Sequence, residues 1–174
     1  KIKLIANSWS NNPKKGEDIL EYLDLNLDFN KYEMTFVGNI NKCLKKIKVI
    51  SPLETKQLAD AMRSHDIFIF ASEIEACSNS LIEALSCGLP AIARNTSSNP
   101  EVLSGSGELF NNKLDIIEKI DLVSSNLSVY YNKIKTNNIS NIGNYYINFF
   151  EELLAEKDYK KINIFKFIQL AFLI

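Results

Sequence analysis

Short apolar segments alternate along this chain with longer segments whose apolar residues recur every three or four positions, and this alternation limits the fold more than any other feature. Strands are expected at residues 1–6, 34–37, 47–50, 66–71 and 91–93, and helices at 17–27, 53–62, 79–87, 115–135 and 144–157. The segment at 66–71, DIFIFA, is almost entirely apolar, which is typical of a strand covered on both faces. Strands alternating with helices predict an α/β fold with a doubly wound parallel sheet.

In a doubly wound sheet, ligands bind beyond the carboxyl ends of the strands, near the point where the strand order reverses. Functional residues are therefore expected in the loops that follow predicted strands, which are 7–16, 38–41, 72–80 and 95–101. The first of these loops, NSWSNNPKKG, lacks the G-x-G-x-x-G pattern of a dinucleotide-binding domain. It also lacks the acidic pair expected of a receiver domain, so both of those classes are disfavoured.

Charge and residue usage exclude further classes of function. The 174 residues include 20 Lys+Arg against 21 Asp+Glu, a net charge of −1, so bulk charge gives no basis for binding nucleic acid. Three scattered cysteines, no C-x-x-C pair and a single histidine argue against a zinc site, and we expect no metal. That histidine, His65, is expected at the surface or in a helix cap. The cysteines favour a reducing, cytoplasmic setting. No apolar run reaches the roughly 20 residues of a membrane span.

The densest group of small and polar residues lies at 72–90, SEIEACSNSLIEALSCGLP. Glu75 falls in the loop after the most apolar strand, and Glu83 falls in the helix that follows. The first amides of a helix have no intrahelical partner and carry partial positive charge, so they suit a diphosphate. A carboxylate in the loop beside them suits sugar hydroxyls, and a carboxylate farther into the helix suits a ribose diol.

With these residues the chain resembles the C-terminal, donor-binding domain of a GT-B glycosyltransferase of the retaining family four, the glycosyl transferases group 1. The family signature E-G-F-G-x-x-x-x-E-A-M-A-x-G-x-P is similar to EACSNSLIEALSCGLP. Five further stretches match family motifs in the same order along the chain: KG at 15–16, FVG at 36–38, HDIFIFASEIE, NTSSNPEVL and GELF. The resemblance runs from about residue 1 to residue 156. It implies a Rossmann-like sheet that forms the C-terminal half of a GT-B fold.

The resemblance also implies a role for each matching residue. Glu75 would contact hydroxyls of the donor hexose, and Lys15 would neutralise the diphosphate as it leaves. Glu83 would bind the ribose. Backbone amides at the start of the helix would hold the diphosphate, and they belong to Ser78, Asn79 and Ser80. The family often has an arginine about five residues before the K-G lysine; here that region reads SWS, and Lys14 is the expected substitute.

The activity implied is transfer of a hexose from a nucleotide diphosphate sugar to a glycan or lipid-linked acceptor, with retention of anomeric configuration and without a cofactor. Cell-surface polysaccharide synthesis is the expected setting. The acceptor-binding, N-terminal domain is absent from this sequence, so we expect the chain to be the donor-binding half and inactive alone. Two alternatives stay open: half of a GT-B epimerase or phosphorylase, and a catalytically silent nucleotide-binding module.

Two domains are expected, a nucleotide-sugar-binding domain at 1–156 and an apolar helical tail at 157–174. Residues 162–174, INIFKFIQLAFLI, are too few to span a bilayer. The tail would contact either the missing N-terminal domain or, peripherally, the inner face of the membrane. Because the sequence starts with Lys1 and enters a predicted strand at once, we expect it to be a piece of a longer protein.

Overall fold

The structure is a computed structural model that describes residues 1–136 and 138–155. The chain divides into two compact units, Lys1–Lys135 and the residues from Thr136 onward. This division lies earlier along the chain than the domain boundary predicted after residue 156. The tail predicted at 157–174, with its apolar segment at 162–174, lies outside the described residues.

Six parallel strands form the sheet of the first unit. Their bounds are β1 Ile2–Ser8, β2 Tyr32–Gly38, β3 Lys48–Ile50, β4 Ile67–Phe70, β5 Ala91–Arg94 and β6 Gly107–Phe110. The order across the sheet is β3-β2-β1-β4-β5-β6, and every neighbouring pair is parallel. The chain therefore builds outward from β1 to β3, returns to the middle, and builds outward the other way from β4. This Rossmann-like order confirms the predicted fold class and puts the reversal between β1 and β4.

Helices cover both faces of this sheet. Their bounds are α1 Glu17–Asn26, α2 Thr55–Arg63, α3 Asn79–Ser86, α4 Asn99–Leu103, α5 Ile116–Ser125 and α6 Leu127–Tyr131. Apolar residues of α1, α5 and α6 share one core cluster with one face of the strands. Apolar residues of α2, α3 and α4 share a second cluster with the other face.

Strand β4 shows how the sequence sets this two-sided core. Ile67 and Ile69 belong to the first cluster, whereas Phe68 and Phe70 belong to the second, and all four side chains are buried. Each such burial stabilises the fold by about 1.5–3 kcal/mol relative to exposure. The prediction of a strand covered on both faces is confirmed. Because β4 is central, its carboxyl end delivers the loop at 72–80 to the middle of the sheet edge.

The prediction of a single helix at 115–135 is wrong, because α5 and α6 are separate helices that meet at Asn126. This residue has a φ of −132°, outside the helical range. Its side-chain Nδ2 donates to the carbonyl of Leu122 at 2.8 Å, and its backbone amide donates to the carbonyl of Val123 at 3.0 Å. An asparagine side chain that bonds to nearby backbone competes with helix continuation, and here it ends one helix and begins the next.

The second unit contains α7, Ile139–Ala155, which begins earlier than the predicted start at 144. Asn138 explains the earlier start, because its Oδ1 accepts a hydrogen bond from the backbone amide of Asn141 at 2.9 Å. This is the side-chain cap that asparagine typically provides at a helix start. Within residues 1–136 and 138–155, no helix has both the length and the hydropathy of a bilayer-crossing segment.

Candidate functional site

A cavity of about 200 Å³ opens at the carboxyl ends of β1 and β4, where the strand order reverses. Doubly wound sheets bind ligands at this position. The two loops at 7–16 and 72–80, which the sequence predicts as functional, meet here. We call this space the switch-point cavity, and its lining residues are Asn7, Ser8, Trp9, Ser10, Lys15, Phe70, Ala71, Ser72, Glu75, Cys77, Asn79 and Ser80.

Gly16 lets the two loops approach each other. Its φ of +100° is left-handed, and a Cβ at this position would lie 2.3 Å from the Cβ of Ala71. Only glycine satisfies both conditions without strain. Next to it, the carbonyl of Lys14 accepts a hydrogen bond from the amide of Glu73 at 2.9 Å. The end of the first loop is thereby fixed against the start of the second, and the Lys15 side chain reaches into the cavity.

The two predicted catalytic residues are direct partners in the structure. The ammonium group of Lys15 forms an ion pair with Oε1 of Glu75, although 60 residues separate them along the chain. The hydroxyl of Ser72 donates to the same Oε1 at 2.9 Å. No residue in the described part of the chain donates to Oε2, so that oxygen stays available to a ligand. The side chains are 31% and 19% exposed, so solvent screens the pair only in part.

The start of α3 forms a further wall, and its three predicted diphosphate ligands differ in their hydrogen bonding. Ser78 is buried, and its hydroxyl donates to Oδ1 of Asn99 at 2.5 Å, so its side chain joins α3 to α4. The amide of Asn79 donates to the carbonyl of Cys77 at 3.1 Å. The amide of Ser80 donates to no group among residues 1–136 and 138–155. Asn79 and Ser80 line the switch-point cavity, whereas Ser78 does not, so of the two residues that line it Ser80 is the one whose amide a ligand anion meets without displacing an internal bond.

Serine is accommodated at the place where the family signature has its second glycine. Ser78 has a φ of −86°, which is an ordinary value for any residue. The loop therefore reaches the helix without the left-handed conformation that would require glycine. The buried Asn99 also donates from Nδ2 to the carbonyl of Arg94 at 3.0 Å, and so ties this turn to the end of β5.

Glu83 lies outside the switch-point cavity, in the wall of a second cavity of about 410 Å³ between α2 and α3. We call this second space the α2–α3 cavity. Leu58 and Met62 of α2 supply its apolar side, and Trp9 is shared with the switch-point cavity. Glu83 is largely exposed, but partial burial against this wall raises the pKa of its carboxyl group above the usual 4.5. The predicted ribose ligand and the predicted diphosphate ligands therefore face adjacent cavities.

Lys14 is placed differently from Lys15. Its side chain is exposed and is not among the residues that line the switch-point cavity. The backbone of Lys14 is held by the side-chain Oδ1 of Asn12, which accepts from its amide at 3.0 Å. The structure therefore assigns Lys14 a position at the rim of the loop, and its predicted phosphate role stays a prediction.

Asn7 is a residue that sequence reasoning did not predict for the site. Its side chain lines the switch-point cavity, and neither Oδ1 nor Nδ2 has a hydrogen-bond partner within the described residues. Leaving such a buried group unpaired costs about 1–3 kcal/mol. A polar ligand that bonds to this amide would recover that energy. The available signal was position alone: Asn7 is a polar residue at the end of a strand beside the reversal point.

The side chain of His65 bonds to groups outside the switch-point cavity. One ring nitrogen of His65 lies 2.7 Å from the carbonyl of Ala61, and the other lies 3.1 Å from Oγ1 of Thr35. These contacts fasten the end of α2 to β2, which confirms the predicted capping role. Across the part of the chain that the structure describes, no three His, Cys, Asp or Glu side chains are grouped closely enough to hold a metal ion.

Comparison with known proteins adds a family and three similar structures. The family described as "Glycosyl transferases group 1" matches residues 26–140. No curated protein has a significantly similar sequence. Among solved structures, WaaG, a glycosyltransferase involved in lipopolysaccharide biosynthesis, is similar with a TM-score of 0.63 and 15% identity over 76% of this chain and 41% of that chain.

The other two structures extend the same likeness. Sucrose-phosphate synthase from Thermosynechococcus elongatus has a TM-score of 0.61 and 13% identity over 77% of this chain and 39% of that chain. The UDP-GlcNAc 2-epimerase from Neisseria meningitidis, bound to UDP-GlcNAc, has a TM-score of 0.58 and 21% identity over 90% of this chain and 45% of that chain. At these identities the likeness establishes the fold alone. The chain spans less than half the length of each of these proteins.

Proposed function

Because the chain belongs to the glycosyl transferases group 1 family, we propose that its first unit binds the nucleotide-sugar donor of a retaining hexosyltransferase. The donor is a nucleotide diphosphate hexose, and the acceptor is a glycan or a lipid-linked molecule in cell-surface polysaccharide synthesis. A second domain supplies the acceptor site, and the chain by itself transfers no sugar. The setting is cytoplasmic, because the free cysteines Cys43, Cys77 and Cys87 suit a reducing compartment.

The observation that carries this proposal is the convergence of Lys15, Glu75 and the Ser80 amide on the switch-point cavity. One cation and one unpaired amide at a helix N-terminus suit the diphosphate. One carboxylate with an available oxygen suits a sugar hydroxyl. The three groups come from different elements and share one small space, as a donor with adjoining sugar and diphosphate parts requires.

Lys15 and the Ser80 amide act on the leaving group. As the bond from the hexose to the diphosphate breaks, negative charge accumulates on the diphosphate oxygens. A fixed ammonium and a fixed amide beside those oxygens stabilise the developing charge without reorganising water, which is a main source of enzymatic acceleration. The hydrogen bond from Ser72 and the ion pair with Lys15 orient Glu75, so that Oε2 faces the hexose hydroxyls.

Glu83 extends the site toward the nucleoside. It lies three residues after Ser80 on α3, which is about 4.5 Å along the helix axis at 1.5 Å per residue. A ribose attached to a diphosphate at Ser80 then falls beside the Glu83 carboxylate. Two neighbouring hydroxyls can both donate to one ionised carboxylate.

Calorimetric titration tests the donor class. UDP, GDP, ADP and their hexose conjugates are added to the chain, with and without Mg²⁺. Binding of one nucleotide series without a requirement for metal supports the proposal. Glu83→Ala should weaken that binding, whereas Glu118→Ala, which removes an exposed carboxylate from α5, should leave it unchanged. Absence of binding by every nucleotide, or equal binding by both variants, contradicts the proposed site.

A product assay separates transfer from the alternatives. The parent protein with its acceptor domain is incubated with the bound nucleotide sugar. A transferase releases the nucleoside diphosphate only when acceptor is present and keeps the anomeric configuration of the hexose. An epimerase changes the hexose without acceptor, a phosphorylase requires inorganic phosphate, and a silent module changes nothing.

A further inference from the structure

Trp9 is held rigidly at the end of β1. Its carbonyl accepts a hydrogen bond from Nδ2 of Asn39 at 2.9 Å, which ties it to the end of β2. The hydroxyl of Ser8 donates to the carbonyl of Ser10 at 3.1 Å and accepts from the amide of Ser10 at 3.3 Å. The residues on both sides of Trp9 are thus bonded to each other, and the backbone that carries the indole is fixed before any ligand arrives.

The indole itself is 54% exposed, although it lies between two cavities. It forms part of the wall of the switch-point cavity, with Lys15 and Glu75, and part of the wall of the α2–α3 cavity, with Glu83. A large aromatic side chain that is fixed at its base and uncovered on its surface is typical of a residue that packs against a ligand.

The order of the groups along the proposed ligand determines what meets this indole. The diphosphate is proposed at Ser80 and the ribose at Glu83, so the base attached to that ribose continues into the α2–α3 cavity. That cavity has a volume of about 410 Å³, within the usual range for small-molecule sites. Leu58 and Met62 are buried on one side of it, and the Trp9 indole lies on another.

We propose that Trp9, which lines both cavities, is the stacking platform for the nucleobase of the donor. This inference rests on the proposed function. Stacking accepts any base, because every base has a π-face. Discrimination among bases then falls to polar groups at the cavity wall, where Thr55 and Ser86 supply hydroxyls.

Trp9 reports on its own role, because it is the only tryptophan in the sequence. UDP, GDP, ADP and inorganic pyrophosphate are titrated separately against the full chain while tryptophan emission is recorded. Pyrophosphate fills the switch-point cavity without bringing a base. The expected result is strong quenching by the nucleotide that binds and little change with pyrophosphate. Equal quenching by both overturns the inference.

Substitution gives the second readout. Replacing a stacking aromatic residue with alanine lowers the affinity for the base about 5- to 150-fold. Trp9→Ala should therefore weaken nucleotide binding by that factor. Its affinity for pyrophosphate should stay within about twofold of the native value, which is well below the smallest expected stacking effect. Trp9→Phe should keep most of the nucleotide affinity, because it retains an aromatic face. Retained pyrophosphate binding also shows that the variant is folded.

The outcomes separate this inference from the proposed function. Nucleotide binding that is lost in Glu83→Ala but unchanged in Trp9→Ala leaves the proposed function standing and refutes the stacking role. A parallel loss of nucleotide and pyrophosphate binding in Trp9→Ala also refutes it, since Trp9 would then shape the diphosphate site. Failure of the native chain to bind any nucleotide refutes both.

Discussion

Replacing Glu75 with glutamine should strengthen the binding of a nucleoside diphosphate, although Glu75 is proposed to serve the donor. In the structure the Lys15 ammonium already has a negatively charged partner, Oε1 of Glu75. An incoming diphosphate must compete with that carboxylate for the cation. Glutamine has the same shape and can still accept the hydrogen bond from Ser72, but it carries no charge.

The size of the gain follows from the exposure of the ion pair. With side chains 31% and 19% exposed, the pair is partly screened by solvent. We therefore use the value for exposed pairs, about 0.2–1 kcal/mol. Releasing Lys15 from that interaction should tighten nucleoside diphosphate binding by about 1.5- to 5-fold. Removal of a carboxylate that repels the phosphates acts in the same direction.

Calorimetry at low and at high salt measures this gain. The ligand is the nucleoside diphosphate without its sugar, because the sugar would add the lost contact with Glu75. The gain should shrink at high salt, where charges are screened. When Glu75→Gln is added to Lys15→Met, the gain should be smaller than in the native chain, because only the lost repulsion then remains. Weaker or equal binding by Glu75→Gln, or a gain that is undiminished without Lys15, refutes the competition between Glu75 and the diphosphate.

Four further predictions concern the frame around the site and the proposed ribose ligand, Glu83. Gly16→Ala should lower the free energy of unfolding by about 2–4 kcal/mol in a urea titration, from left-handed strain and the 2.3 Å approach to the Cβ of Ala71; an unchanged value contradicts this. Burial tends to raise the pKa of Asp24, but hydrogen bonds from three backbone amides, including the buried amide of Ile47, lower it overall. Asp24→Ala should therefore destabilise the fold by about 2–4 kcal/mol at neutral pH, and the deficit should shrink as the pH falls through the lowered pKa; a deficit that is independent of pH counts against the assignment. Because burial raises the pKa of Glu83, nucleotide affinity should fall on acidification from a pH above 4.5. The fall should be smaller in Glu83→Gln, where only the nucleotide phosphates titrate, and matching profiles for both proteins would remove Glu83 from the site. Because the pKa of Glu83 is raised, the folded state favours the protonated carboxyl group, and this stabilisation is lost as the pH rises through the raised pKa. At neutral pH the partly buried charge therefore destabilises the native chain, and Glu83→Gln should have the higher free energy of unfolding in a urea titration.

Much of the fold could be predicted because the pattern that sets it is local. The apolar run at 66–71 has apolar side chains on both faces of a strand, so both faces must be buried. Strand β4 is buried in this way at the centre of the sheet. The alternation of strands and helices then implied that functional loops gather at one edge of the sheet. The resemblance added Lys15 as a site residue and gave both Lys15 and Glu75 their expected roles. Their pairing follows from the adjacency of β1 and β4, which no spacing in the sequence reveals.

The features that were not predicted depend on contacts between distant segments or on which group a single side chain bonds to. Asn126 could have continued a helix, but its side chain bonds to Leu122 instead and divides α5 from α6. The hydroxyl of Ser78 faces Asn99 of another helix. Trp9 has no signature by itself, and its position between two cavities exists only once β1, α2 and α3 are assembled.

The proposed function depends above all on a diphosphate that binds between Lys15 and the start of α3. Nuclear magnetic resonance of the ¹⁵N-labelled chain, titrated with inorganic pyrophosphate and then with the nucleoside diphosphate that binds, tests it most directly. We expect both ligands to shift the Ser80 amide and its neighbours at the start of α3, and we expect the Glu83 amide to shift with the nucleotide alone. The Glu118 amide on α5 should not move. Shifts concentrated away from the switch-point cavity, or a Ser80 amide that does not respond to either ligand, would contradict diphosphate binding at this site.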